Sequence, residues 1–158
     1  MSERSVQHAT FVIERTYDAS PARVFGAFAT TEAKAKWFGD PDHPSSDLKV
    51  DFRVGGREFN TGGPPGGPVF TYEAFYQDIV PNERIVTTYA MQKDGTPISA
   101  SVTTMELVPE GSGTLLTLTE QGAYLDAIDT PQIREGGMRD LLDSLANYLQ
   151  RESATVKS

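Results

Sequence analysis

Two charged residues occupy positions that apolar side chains normally fill on a strand face. Arg15 alternates with apolar residues in TFVIERTY, and Glu120 does the same in TLLTLTEQ. Alternation with a period of two is typical of a strand with one buried face, so each charge is expected to share a face with apolar side chains. Because an unpaired buried charge is costly, each residue needs a partner or access to water.

The segment AKWFG contains the only tryptophan of the chain. Trp37 and Phe38 follow a stretch whose apolar residues are mostly alanine, and Gly39 is placed to end a helix there. Two bulky rings at a helix end can fill a core, or they can form the wall of a cavity. The surrounding elements have to decide between these two interpretations.

Further candidates are hydroxyl and thioether side chains among apolar neighbours, namely Tyr72, Tyr76, Tyr89, Met105 and Met138. Aromatic and methionine side chains at strand and helix spacing more often belong to a plain core than to a ligand site. None of these tyrosines has a charged partner in the sequence. The catalytic residues, if the chain has any, are therefore not assigned.

A metal site is the weakest of the chemical hypotheses. His43 lies in GDPDHPS with Asp40 and Asp42, and one histidine with neighbouring aspartates in a proline-broken loop is weak support for a ligand set. The sequence contains no G-x-S-x-G, P-loop or H-E-x-x-H motif. We predict a solvated loop at His43, no metal and no cofactor.

Composition restricts the classes of function. The 158 residues have the size of one domain, and the absence of cysteine excludes disulfides, thiolate metal sites and cysteine nucleophiles. A formal net charge of −8 with scattered basic residues argues against nucleic acid as a partner. No secretion signal and no run of about 20 apolar residues is present, so we expect no membrane insertion and a cytoplasmic location.

The apolar periodicity predicts an α+β chain. A strand over residues 10–17 precedes two short helices, the first capped by Ser20 and the second by Thr30 or Thr31. Further strands are predicted in DLKVDFRV, REFN, VFTYEAFYQDI, RIVTTYAMQ, ISASVTTMELV and TLLTLTEQ. A final helix over residues 131–150 carries a continuous apolar stripe.

Three segments interrupt or flank this pattern. The segment GGPPGGP over 62–68 cannot hold a strand ladder and is predicted to be a mobile loop. Imperfect alternation over 74–76 predicts a bulge in the strand that contains it. Within a single domain over 1–158, residues 1–8 and 151–158 are expected to be flexible.

Several motifs resemble, in order, those of proteins related to the activator of Hsp90 ATPase, within the Bet v 1 and START-like (SRPBCC) superfamily. They are ERTYDASPARVFGAFAT, AKWFG, DFRVGGREF, VPNERIV, GTLLTLTEQG and LLDSLANYL. The likeness covers residues 10–150. The chain departs from the family at Gly137-Met138, where members commonly have Gly-Trp, and in the 62–68 loop.

The resemblance implies a helix-grip fold. This fold is a curved antiparallel sheet of six to seven strands wrapped around a long C-terminal helix, with two short helices after strand one. The first and last strands are neighbours in it, so we hypothesise a buried ion pair between Arg15 and Glu120 that orients the polar group of a ligand or fixes strand register. Alternatively, one or both side chains lie at a sheet end and reach water.

The resemblance also implies a cavity between sheet and helix, in which Trp37 and Phe38 close one end near the 62–68 loop. The predicted lining consists of Trp37, Phe38, Phe52, Tyr72, Tyr76, Tyr89, Met105, Gly137, Met138 and Leu141. In this interpretation Gly136 and Gly137 leave space beneath the helix. The alternatives are that Trp37 fills a solid core and that the helix begins only after the glycines.

Three functions follow from the resemblance and stay open at this point. The first is binding of a small hydrophobic or aromatic molecule in the cavity, as a carrier or sensor. The second is a cyclase- or hydrolase-like enzyme that uses the same cavity. The third is an Hsp90-type co-chaperone of the stress response or another protein-interaction domain. A homodimer formed through an edge strand or a loop is compatible with each of them.

Overall fold

A computed structural model describes residues 4–39 and 47–157. Its elements are β1 (Val6–Tyr17), α1 (Pro21–Gly26), α2 (Thr31–Ala35), β2 (Lys49–Val50), β3 (Arg57–Gly62), β4 (Phe70–Val80), β5 (Arg84–Lys93), β6 (Thr96–Glu110), β7 (Gly113–Leu125) and α3 (Pro131–Lys157). The strands form one antiparallel sheet in the order β1-β7-β6-β5-β4-β3-β2. The predicted helix-grip fold is confirmed, with seven strands curved around the C-terminal helix.

The inner face of the sheet carries the core. Phe11 and Ile13 of β1 and Leu116 and Leu118 of β7 alternate with exposed or half-exposed residues and are buried. They cluster with the apolar stripe of α3, which contributes Leu142, Leu145, Tyr148 and Leu149. The period of two in the strands and the helical stripe therefore meet in one apolar layer.

The two short helices begin at the predicted caps. The Arg23 amide donates to the Ser20 side chain at 3.3 Å, and the Ala33 amide donates to the Thr30 hydroxyl at 3.1 Å. Each cap satisfies an amide that has no partner within its helix. The predicted helix end at Gly39 is wrong, because α2 ends at Ala35 with Lys36 as its C-cap. Gly39 has a φ of 77°, a left-handed conformation that glycine adopts without strain, in the segment that follows.

The strand predicted in DLKVDFRV is wrong for most of its length, because only Lys49–Val50 pairs with β3. The chain then turns: the Asp51 amide donates to the Arg57 carbonyl at 3.1 Å, and the Gly56 amide donates to the Arg53 carbonyl at 2.8 Å. A Cβ at Gly56 would lie 2.0 Å from the Asp51 carbonyl oxygen, so this turn requires glycine. Alternation alone did not reveal the turn, since a turn can carry the same pattern.

Other boundaries also differ from the prediction. The register shift in β4 lies between Tyr76 and Asp78 rather than over residues 74–76. Regular structure reaches into both terminal segments, because β1 pairs with β7 from Val6 onward and α3 runs to Lys157, and the flexibility of these segments stays a prediction. Regular hydrogen bonding therefore extends further toward both ends than the apolar pattern does.

Candidate functional site

A cavity of about 230 Å³ lies between the inner face of the sheet and α3. Its wall includes nine of the ten predicted lining residues, namely Trp37, Phe38, Tyr72, Tyr76, Tyr89, Met105, Gly137, Met138 and Leu141. Phe28, Lys34, Asn60, Phe70, Thr87, Thr103 and Arg134 are among the further lining residues. The wall is thus largely apolar, with aromatic rings and aliphatic side chains in similar number and a few polar groups.

Trp37 forms part of this wall and is held rigidly. Its side chain is fully buried, and its indole N–H donates to the Ala27 carbonyl at 3.0 Å. The ring packs edge-on against Phe28 at a centroid distance of 4.8 Å and against Phe38 at 6.1 Å. Trp37 therefore touches both the core and the cavity, and the two interpretations of AKWFG are not exclusive.

A row of rings continues from the helix end across the sheet. Phe38 lies 5.4 Å from Tyr72, and Tyr72 lies 5.2 Å from Tyr89, measured between ring centroids. Gly39, Thr61, Gly62 and Phe70 also line the cavity. Trp37, Phe38 and Gly62 thus all line the cavity, and the closure of one end by the two rings stays a prediction.

Phe52 is the one predicted lining residue that the structure places outside the cavity wall. Its ring packs against Phe25 at 5.4 Å and against Tyr76 at 5.0 Å. It therefore supports a lining residue from behind. The prediction failed because it placed Phe52 on a strand, whereas the chain turns at this point.

The glycine pair lies inside α3, so the alternative that the helix begins after it is wrong. Gly137 lines the cavity, and a Cβ there would meet only the Arg134 Nη1 atom, at 3.6 Å. A Cβ on Gly136 would meet no atom within 4 Å. Only Gly137 thus bears on the shape of the cavity.

Glu120 lies at the centre of a buried hydroxyl cluster. The carboxylate is fully buried and accepts hydrogen bonds from Tyr89 at 2.6 Å and from Tyr124 at 2.7 Å. Ser101 donates to it at 3.2 Å and Thr103 at 3.4 Å. Four hydroxyl donors thus replace the water that a carboxylate would otherwise need.

The predicted ion pair between Arg15 and Glu120 is wrong. Both face the inner side, but Arg15 is opposite Leu116 and Glu120 is opposite Phe11, so they lie four positions apart along paired strands. The Arg15 Nε atom lies 3.6 Å from a carboxylate oxygen of Asp143 on α3. The Arg15 side chain is 26% exposed. This agrees with the alternative prediction that one of the two charged side chains reaches water.

Gly122 makes room for the hydroxyls around Glu120. A Cβ at this position would lie 2.6 Å from the Ser101 hydroxyl oxygen and 2.8 Å from that of Tyr124. Both hydroxyls donate to Glu120, so a side chain at position 122 would displace them. The glycine is thus a requirement of the cluster and not of a turn.

Tyr89 connects the Glu120 cluster to the cavity. Burial raises the pKa of Tyr89 well above its ordinary value of 10.0, and the nearby charge of Glu120 raises it further. The phenol therefore stays protonated at neutral pH and donates its proton to Glu120. Its oxygen can accept a hydrogen bond from a molecule in the cavity, but it is not poised as a general base.

A second buried acidic residue escaped the sequence analysis. Glu58 is fully buried, lies 2.6 Å from the Lys34 ammonium, and also accepts a hydrogen bond from Tyr76. The Lys34 nitrogen lies 4.6 Å from the centroid of the Phe38 ring, within the range of a cation–π contact. No local sequence pattern signalled this cluster, because the partners of Glu58 lie on α2 and β4.

No group of three or more metal-ligating side chains occurs among the residues that the structure describes. The candidate set of Asp40, Asp42 and His43 lies outside the described residues. None of the described helices combines the length and the apolar character needed to cross a membrane.

Comparisons with solved structures agree with this architecture. The Mll3558 protein of Rhizobium loti is 49% identical, with a TM-score of 0.84 over 91% of this chain and 99% of that one. An uncharacterised protein of Rhizobium leguminosarum is 42% identical, with a TM-score of 0.89 over 94% and 98% of the two chains. Protein CV1439 of Chromobacterium violaceum is 30% identical, with a TM-score of 0.73 over 87% and 94%.

No protein of curated function matches the chain. Residues 18–150, which include every element from α1 to most of α3, match the family described as Activator of Hsp90 ATPase homolog 1-like protein. The chain therefore belongs to the family of Activator of Hsp90 ATPase homolog 1-like proteins.

Proposed function

We propose that this protein binds a small apolar or aromatic molecule in the cavity between the sheet and α3, as a carrier or sensor. The observation that carries the proposal is the cavity of about 230 Å³ with its largely apolar wall, to which seven aromatic rings contribute. Ligand sites in proteins are typically apolar concavities with a few placed polar groups. Family membership fits a ligand-binding or a co-chaperone-like domain.

The volume limits the size of the molecule. An apolar cavity of about 150 Å³ is large enough for benzene, whereas sites for drug-sized ligands start at roughly 300 Å³. A volume of about 230 Å³ lies between these values and suits one substituted ring or a small bicycle. Long lipids would need the cavity to expand.

Toluene and indole are suitable first probes. Binding inside the cavity places the probe against Trp37, so its fluorescence should change on titration, and the melting temperature should rise with probe concentration. Unchanged melting and unchanged fluorescence at saturating concentrations of both compounds would contradict the proposal.

A filled cavity provides the matched control. Met138→Trp replaces a flexible thioether side chain of the cavity wall by a bulky indole ring, and it should abolish the probe-dependent rise in melting temperature. Ile133→Trp adds the same ring to α3 at a site that is 54% exposed, and it should leave the rise unchanged. Equal effects of the two substitutions would place the probe outside the cavity.

The two glycines of α3 give a further prediction. Gly136→Ala should raise the free energy of unfolding by about 0.5–1 kcal/mol, because alanine favours a helix interior. Gly137→Ala should stabilise similarly but should also weaken toluene binding, since only Gly137 lines the cavity. Urea denaturation and toluene titration of both variants check this. An equal loss of affinity in both would show that space beside Gly137 is not used.

For an enzymatic role of the cyclase or hydrolase type, the hydrogen bonds around the cavity do not identify a catalytic residue. Tyr76 and Tyr89 both line the cavity, and each donates its proton to a buried carboxylate. Burial raises the pKa of both phenols well above the ordinary range. They are suited to holding a ligand, and no acid–base pair is assigned.

Protein interaction is a second candidate, favoured by the outer face of the sheet. Phe75 and Val102 are 41% and 40% exposed and lie in one row across β4, β5 and β6, beside a shallow depression of about 760 Å³. If this face binds an Hsp90-type chaperone, the protein should alter that chaperone's ATPase rate and Phe75→Asp should remove the effect. Formation of a homodimer and a cytoplasmic location stay predictions.

A further inference from the structure

Two polar side chains that line the cavity each have an oxygen atom without a hydrogen-bond partner among the described residues. Asn60 of β3 and Tyr72 of β4 are register partners, and both line the cavity. Directly opposed residues of antiparallel strands have their Cβ atoms about 4.5–5.5 Å apart. One small group in the cavity can therefore contact both side chains.

Asn60 has an unsatisfied acceptor. The residue is only 8% exposed, and its Oδ1 atom has no hydrogen-bond partner among the described residues. A buried acceptor without a partner costs about 1–3 kcal/mol, and most buried polar atoms in proteins are paired. An apolar residue at this position would avoid that cost, so the amide is expected to have a use.

Tyr72 supplies a matching donor. Its ring is fixed between Phe38 and Tyr89, and its hydroxyl makes no hydrogen bond with the part of the chain that the structure describes. Burial raises the pKa of Tyr72 well above 10.0, with a smaller contribution from the charge of Glu58. The hydroxyl therefore keeps its proton and can donate it into the cavity.

The charged groups around the cavity are already compensated. Lys34 pairs with Glu58 at 2.6 Å, and Arg134 pairs with Asp129 at 3.2 Å. Glu120 is surrounded by hydroxyl donors. An anionic or cationic ligand would lose its hydration without gaining an uncommitted counter-charge, which is unfavourable.

We propose that Asn60 and Tyr72 select an uncharged hydroxyl or amide group on an aromatic ligand. This inference rests on the proposed function of the cavity. The Tyr72 hydroxyl donates a hydrogen bond to the oxygen of the ligand's polar group. The ligand's own O–H or N–H donates a hydrogen bond to the Asn60 Oδ1 atom. The aromatic part of the ligand lies against the rings of the wall.

Four probes of similar shape test this selectivity, namely toluene, benzyl alcohol, benzoate and benzylammonium. Benzyl alcohol should bind about three- to tenfold more tightly than toluene, which corresponds to about 0.7–1.4 kcal/mol of net hydrogen-bond contribution. Benzoate and benzylammonium should bind more weakly than toluene. Calorimetric titration measures all four affinities.

Substitutions assign the preference to the two side chains. Asn60→Leu and Tyr72→Phe should each reduce the ratio of benzyl alcohol affinity to toluene affinity toward one. Thr87→Val removes another hydroxyl from the lining and should leave the ratio unchanged. Asn60→Leu should also keep or raise the melting temperature without a probe, which separates loss of selectivity from loss of fold.

The outcomes distinguish this inference from the proposed function. If toluene and benzyl alcohol bind equally, or if Asn60→Leu stabilises the protein without changing the ratio, the pair holds only water and the selectivity is refuted while the cavity function stands. Tighter binding of either charged probe would refute it as well. If none of the four probes binds, the proposed function falls and the inference falls with it.

Discussion

Replacement of Lys34 by methionine is expected to lower the free energy of unfolding by about 3–5 kcal/mol. The Lys34 ammonium lies 2.7 Å and 2.6 Å from the two carboxylate oxygens of Glu58. Lys34 is 6% exposed and Glu58 is fully buried. Methionine fills a similar volume but leaves the Glu58 charge without its cation in a region that water does not reach.

Urea denaturation of three variants tests this expectation. Lys36→Met is the control, because the Lys36 side chain is 59% exposed and its contact with Glu152 is 4.0 Å long, so its effect should stay within about 0.5 kcal/mol. The double variant Lys34→Met/Glu58→Leu should recover much of the loss, since no unpaired charge remains. A loss in Lys34→Met no greater than in Lys36→Met would show that water reaches Glu58.

This ion pair also bears on the cavity. Lys34 and Tyr76 both line the cavity, and both bind Glu58. The pair therefore fixes the side chains of one wall as well as contributing to stability. Destabilised Lys34→Met protein should consequently bind toluene less tightly even at temperatures at which it is fully folded.

The sequence was sufficient for most of the fold. The alternation in TFVIERTY and TLLTLTEQ, the cap at Ser20 and the stripe in the last helix each depend on near neighbours in the chain, and local physics predicts such features well. The resemblance added the order of the strands. Together the local patterns and the resemblance predicted that Trp37, Tyr89 and Met138 line one cavity, where the structure also places them.

The error at Phe52 came from a local turn that alternation did not reveal, and the others came from contacts between residues distant in sequence. Arg15 was expected to meet Glu120, but strand register and the approach of α3 place Asp143 closer to it. The partners of Glu58 lie on α2 and β4, so no local pattern revealed them. Alternation shows which face a residue takes, but it does not show which residue of a neighbouring element lies opposite.

Alkaline pH is expected to unfold the protein through its tyrosines. Burial raises the pKa well above its ordinary value of 10.0 in five tyrosines, namely Tyr17, Tyr72, Tyr76, Tyr89 and Tyr124. Above pH 10 the unfolded chain loses these protons while the folded chain keeps them. Unfolding therefore releases protons, and each such tyrosine lowers the free energy of unfolding by about 1.4 kcal/mol per pH unit.

Because a domain of this size is stable by only about 5–15 kcal/mol, several tyrosines acting together should unfold it within about two pH units above 10. Urea denaturation at a series of pH values gives the slope of the free energy of unfolding against pH, and the ultraviolet absorbance of tyrosinate reports ionisation.

Tyr72→Phe is the informative variant, since the Tyr72 hydroxyl makes no hydrogen bond with the described residues. Its stability at neutral pH should therefore be unchanged, while its slope above pH 10 should be shallower by about 1.4 kcal/mol per pH unit. Tyrosinate absorbance that rises fully near pH 10 in the folded protein would refute the burial of these phenols, and with it the dry cavity wall on which ligand selectivity depends.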